Sequence, residues 1–211
     1  MSPALVQIDG GEQGRRVVEE RAKIVTAIAK AVAEYGYAQL TMEQVLAQAG
    51  VTPEEFEAYF PSLEQGLVAA QEDFLERLRL EVAAACDLDR AWPDNVRAAL
   101  DAALAYVADA NAMARAFAVE ATSASLVASE RHYAALEALA DLLREGRRFY
   151  PGAEEMPPAI ERALVGGIAS IISDRLLSEE PRALIDLEPQ LAEFLLLPYL
   201  GRAEASRFTR T

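Results

Sequence analysis

The chain has 211 residues, 52% of them hydrophobic, enough to bury a sizeable core as one large domain or as a small module fused to a larger one, which excludes disorder for the chain as a whole. Its 34 acidic residues outnumber the 20 basic ones for a net charge of −14, so long-range steering toward nucleic acid or an anionic membrane is unfavourable and any DNA contact has to come from a local patch. Cys86 is the one cysteine and His132 the one histidine, which rules out an intramolecular disulfide, argues against an ordinary zinc site and fits a reducing compartment.

The first residues lack a charged segment followed by an apolar core and cleavage site. The longest apolar stretches, such as 163–172, are too short to span a bilayer. A soluble, cytoplasmic protein with no membrane partner is expected. Pro3, Gly10, Gly11 and Gly14 make residues 1–14 a mobile arm. From Arg15 the pattern turns helical: Ile24, Ile28, Ala31 and Tyr35 share one face, and Gly36 ends the helix.

Three capping boxes follow, Thr41 with Gln44, Thr52 with Glu55 and Ser62 with Gln65, each a hydroxyl followed three residues later by Glu or Gln. They predict two short helices and the start of a third. Pro53 falls at the first helical position, where a missing N–H is tolerated, and Gly50 supplies the tight turn before it. Ala47, Val51, Phe56 and Phe60 are expected to close a small core against Ile24 and Ile28. Residues 36–67 therefore read as a helix-turn-helix, with 15–62 as its domain.

Leu67, Ala70, Phe74, Leu78 and Val82 then keep helical spacing through Ala85, and 87–93 breaks the run. Helices are expected at 94–110, 112–121 and 123–149, with Pro151, Gly152, Pro157 and Pro158 marking a loop. Two final helices, 159–177 and 188–197, are the most apolar in the chain. No strand-like alternation and no internal repeat stand out. The expected fold class is all-α: an N-terminal three-helix module plus a larger helical domain over 63–211.

Gly36-Tyr37, Leu40-Thr41, the 45–49 stretch, Ala49-Gly50-Val51, Phe56, Tyr59-Phe60, Ser62, Glu64 and Leu67 stand where the TetR family of bacterial transcriptional regulators has the same or similar residues. The ending from Leu191 through Pro198-Tyr199-Leu200-Gly201 looks like a common ending in that family. The chain resembles the TetR family over nearly all of its length.

That resemblance implies a ligand-responsive regulator that binds operator DNA as a homodimer and takes an unknown small-molecule effector. The first short helix braces the second, whose N-terminal residues enter the major groove. Arg15, Arg16, Lys23, Thr41, Thr52, Pro53, Glu55, Glu57 and Tyr59 are the candidate DNA contacts. In the family the recognition helix usually carries a small residue and a hydroxyl at the positions of Glu54 and Glu55, an aromatic at Glu57 and a lysine at Leu63; here all four depart. Residues 1–67 hold 5 basic and 10 acidic groups, a net of −5, with Arg15, Arg16, Arg21 and Lys23 as the basic cluster. Glu55 or Glu57 can accept from cytosine N4. Acids in the first turn also stabilise a helix against its dipole, and capping takes precedence over base reading for Glu54 and Glu55. The alternative is a dimer of the same fold with weakened or lost DNA binding, acting as a small-molecule or protein-binding module.

By the same resemblance the larger domain holds an effector pocket, with Phe74, Trp92, Tyr106, Met113, Phe117, Glu120, His132 and Tyr133 as candidates. A dimer interface is expected on the last two helices, at Leu164, Ile168, Ile171, Ile172, Leu191, Phe194 and Leu195. Gly166-Gly167 inside an apolar helix fits close helix–helix approach there. No glycine-rich phosphate loop, nucleophile elbow or Cys/His dyad is present. No catalytic residue, metal or cofactor is expected.

Overall fold

The computed structural model describes residues 10–121, 136–137, 139–178 and 181–207, and among them every regular element is helical. None of the described helices is long and apolar enough to cross a membrane. Two compact units divide between Asp73 and Phe74.

The first unit contains α1 (Gly10–Tyr35), α2 (Met42–Ala49), α3 (Pro53–Glu57) and the beginning of α4 (Leu63–Ala85). Two reciprocal capping boxes set the short helices. The Thr41 N–H donates to Gln44 Oε1 at 2.9 Å while the Gln44 N–H donates to Thr41 Oγ1 at 3.4 Å. The Thr52 N–H donates to Glu55 Oε2 at 2.8 Å and the Glu55 N–H to Thr52 Oγ1 at 3.2 Å. At the third start the Gln65 N–H donates to Ser62 Oγ at 3.3 Å. Gly50 ends α2 at φ 64°, its N–H on the Leu46 carbonyl at 2.9 Å, a left-handed position that disfavours any side chain. Ile24, Ile28, Ala31, Val45, Ala49, Phe56 and Phe60 form the buried core, the two phenyl rings tilted with centroids 5.6 Å apart.

Several expectations change. α1 begins at Gly10, so residues 10–14 are helix rather than arm; glycine weakens a helix by only about 1 kcal/mol each, and the strong helix formers after Gly14 carry it back through them. Residues 1–9 lie outside the described residues. Tyr35 is exposed at the last position of α1. Ala47 is exposed because the buried positions of α2 are Val45 and Ala49, and a residue two steps from each points to the opposite face. Val51 is half-buried.

The second unit holds the remainder of α4, then α5 (Trp92–Asp109), α6 (Asn111–Ala121), α7 (Ile160–Ser178), α8 (Glu188–Leu200) and the short α9 (Arg202–Ala205). Part of the expected 123–149 helix falls on residues 122–135, outside the described ones. Residues 139–144 are helical, and the run then tightens to a 3-10 turn at Glu145–Arg148. α5 starts earlier than expected, with Pro93 in its first turn, where its missing N–H has no partner to lose. α5 packs on α8, α6 on α7, and α7 on α8. Leu100, Leu104, Leu164, Ile168, Leu191 and Leu196 supply much of the buried core.

Candidate functional site

α3 is five residues long and buries Phe56 alone, leaving Pro53, Glu54, Glu55 and Glu57 exposed. The Glu55 carboxylate is committed to the Thr52 N–H, which is capping as expected. Its own backbone N–H and then the Thr52 hydroxyl hold the Glu54 carboxyl below its usual range, so it stays anionic at neutral pH. The hydroxyls of Thr41 and Thr52 both act as caps, and both residues are exposed; Tyr59 is half-buried.

The basic cluster divides by partner. Arg15 and Arg16 are exposed on α1. The Arg21 guanidinium lies over the Phe60 ring, 5.2 Å from its centroid. Lys23 Nζ stands 3.7 Å from Glu20 Oε2 with both side chains about half exposed, a pair that water and salt weaken. Against three exposed carboxylates on α3, this is a thin cationic rim.

In the second unit the effector candidates separate. Phe74 and Tyr106 come together with ring centroids 5.3 Å apart, and Met113 is buried. Trp92 does not join them. As the first residue of α5 it packs on Tyr199 at 4.6 Å and Tyr150 at 5.6 Å. A Cβ on Gly146 would fall 2.2 Å from Trp92 Cζ2, so only glycine fits beneath the indole. The side chains of Phe117 and Glu120, and all of His132 and Tyr133, lie outside the described residues.

Beside Trp92 lies a polar cluster that sequence reasoning missed. Glu161, in the first turn of α7, is fully buried. Arg147 donates to it from Nε at 2.6 Å and Nη2 at 2.9 Å, and to the carbonyls of Met156 and Pro157 at 2.8 and 2.9 Å. The Tyr199 hydroxyl stands 3.0 Å from Glu161 Oε1 and 3.2 Å from the Leu143 carbonyl. Burial pushes the Glu161 carboxyl up, but its hydrogen bonds to Arg147, to backbone and to Tyr199 outweigh that and leave it below its ordinary value. Burial, then the Glu161 charge, drive the Tyr199 phenol well above its own. A lone glutamate in a first helical turn carries no signal of such a partner.

A second arginine fastens the other end of α8, where Arg97 Nε donates to Glu188 Oε1 at 2.8 Å. Arg115 donates to the Leu176 carbonyl near the end of α7. The interface candidates divide around this helix pair. Leu164, Ile168, Leu191 and Leu195 are buried within the single chain and belong to its own core. Ile171 and Phe194 are exposed, Ile172 is half-buried, and Leu177 and Leu197 join the exposed set. Both helices are apolar on more than one face, and the pattern alone does not tell which face turns inward. A Cβ on Gly167 would meet the Phe194 ring at 3.3 Å, so the small residue allows α7 and α8 to approach closely.

Several solved structures share this architecture. The fatty acid degradation regulator FadR of Bacillus halodurans is 19% identical with a TM-score of 0.72, covering 84% of this chain and 94% of its own. FadR of Bacillus subtilis, solved in complex with stearoyl-CoA, is 18% identical with a TM-score of 0.64 over 86% of this chain and 98% of its own. A TetR transcriptional regulator from Chloroflexus aurantiacus is 19% identical with a TM-score of 0.66 over 86% and 96% of the two chains. No family model and no curated protein matches the chain. At these identities the likeness speaks for architecture: the chain has the fold of TetR-family transcriptional regulators.

Proposed function

We propose that the chain is a ligand-responsive transcriptional regulator of the TetR family that acts in the cytoplasm and binds operator DNA as a homodimer. The observation that carries this reading is the α2–Gly50–α3 unit, whose two reciprocal capping boxes and left-handed glycine hold α3 as a helix-turn-helix holds its reading helix. α4 begins in the first unit and continues into the second. An effector bound in the second unit and favouring one placement of α4 would alter the separation of two recognition helices across a dimer. The stearoyl-CoA held by the Bacillus subtilis regulator makes a long-chain acyl-CoA the first effector to test. The exposed Ile171, Phe194 and Leu197 are the apolar surface on α7 and α8 that a second copy would cover.

A second reading rests on Glu54, Glu55 and Glu57, which are exposed on α3. A carboxylate about 4 Å from a phosphate is opposed by about 1 kcal/mol in water and about 4 kcal/mol at a surface-like dielectric. Several such pairs outweigh one good contact, giving a dimer of this fold that no longer reads DNA. A genomic-fragment pull-down at low and moderate salt decides. Retention of one specific fragment supports the regulator, and retention of none at either salt leaves the second reading.

A further inference from the structure

Asn111 opens α6 directly after Ala110, the residue that ends α5. Its side-chain Nδ2 is buried and, among the described residues, is the one enclosed side-chain nitrogen or oxygen without a hydrogen-bond partner. Asn95 shows the ordinary arrangement, with Nδ2 donating to the Asp87 carbonyl at 2.7 Å. Near Asn111 along the chain, Val107, Met113 and Ala114 are all buried and apolar. An amide group taken out of water with no acceptor loses its hydration for nothing in return, and buried polar groups are paired in the great majority of cases. A leucine of similar size would fill such a place without that loss.

We propose that Asn111 is an effector contact, its Nδ2 donating to a carbonyl or carboxylate oxygen at the end of a small molecule's apolar chain. This rests on the reading of the second unit as effector-binding. The amide nitrogen is a donor only, so it selects an acceptor and leaves a plain hydrocarbon or a protonated amine unrewarded. Asn111 is thus a specificity-determining residue: apolar contact supplies much of the affinity, and this one bond distinguishes the oxidised end of the molecule.

The test measures binding of stearoyl-CoA, stearate and the thioether octadecyl-CoA, which lacks the carbonyl, to the full chain and to its N111L and N111D variants. The wild type is expected to bind one of the two acyl probes. N111L and N111D are expected to bind that probe about tenfold more weakly, the size of one hydrogen bond. If that probe is the acyl-CoA, the thioether should bind the wild type weakly and should not distinguish it from N111L. Ligand-free N111L should melt about 2 to 4 °C higher, because its orphan donor is gone. If N111L fails to fold, N111D and the probe comparison on the wild type carry the test. Equal affinity of wild type and variants for an acyl probe overturns the proposal, as does failure of both acyl probes to bind the wild type. Either result with a specific DNA fragment retained leaves the regulator reading standing. Acyl binding through Asn111 with no fragment retained sinks that reading instead.

Discussion

The Arg147 guanidinium meets the Glu161 carboxylate edge-on, Nε to Oε1 at 2.6 Å and Nη2 to Oε2 at 2.9 Å, and the carboxylate is wholly shielded from water. Removing one partner of a buried pair strands the other charge, so Arg147→Ala should lower stability by about 3–5 kcal/mol, read as a drop in the urea midpoint. The folded carboxyl titrates below its ordinary value of 4.5. Its contribution is therefore fully present above the unfolded pKa and lost as pH falls from about 4.5 through the folded pKa. Wild type should show that acid loss of stability, and Glu161→Gln should lack it. An identical acid limb in the two proteins would mean that the pair does not form.

Capping and base reading make different demands on Glu55. Its Oε2 accepts from the Thr52 N–H at 2.8 Å, and a glutamine keeps an acceptor there. Glu55→Gln should thus be nearly neutral in stability, whereas Thr52→Ala should cost about 1 kcal/mol by loss of the cap. If Glu55 instead reads cytosine N4, Glu55→Gln changes which sequence the protein selects from a random library at unchanged stability.

These examples also mark how far the sequence was legible. Caps, the proline at the first position and the turn glycine are local: Thr52 and Glu55 lie three residues apart, and their bond forms wherever the helix forms. Arg147 and Glu161 lie 14 residues apart on different elements, and Tyr199 lies 38 beyond Glu161. Only the packed fold brings them together, and each looks like a solvated surface charge or a core aromatic when read alone. The neighbours of Trp92, Tyr150 and Tyr199, are set by tertiary packing in the same way.

The acidic face of α3 makes its own forecast. Glu57 is exposed and Leu63 is half-buried at the start of α4, positions where the resembling family carries an aromatic and a lysine. Glu57→Tyr with Leu63→Lys should tighten nonspecific DNA binding and steepen the salt dependence by about one phosphate contact per protomer, a slope change near 0.9 for each on B-DNA. Titration with random duplex at several salt concentrations reads it. An unchanged slope means that neither position approaches the backbone.

Surface and core residues of α7 and α8 should respond in opposite ways, and that contrast tests the dimer. Phe194 is 39% exposed and Ile171 41%, while Leu191 is 2% exposed. If a second copy covers the outer face, Phe194→Glu places a charge in an apolar contact that has no partner for it, and light scattering should find a monomer with nearly wild-type helicity. Leu191→Ala opens a cavity inside the single chain and should cost about 2–5 kcal/mol, while leaving oligomeric state unchanged at temperatures well below its melting point. A Phe194→Glu protein that stays dimeric places the contact elsewhere. A Leu191→Ala protein that is stable but monomeric would mean that the buried face, and not the exposed one, meets the partner.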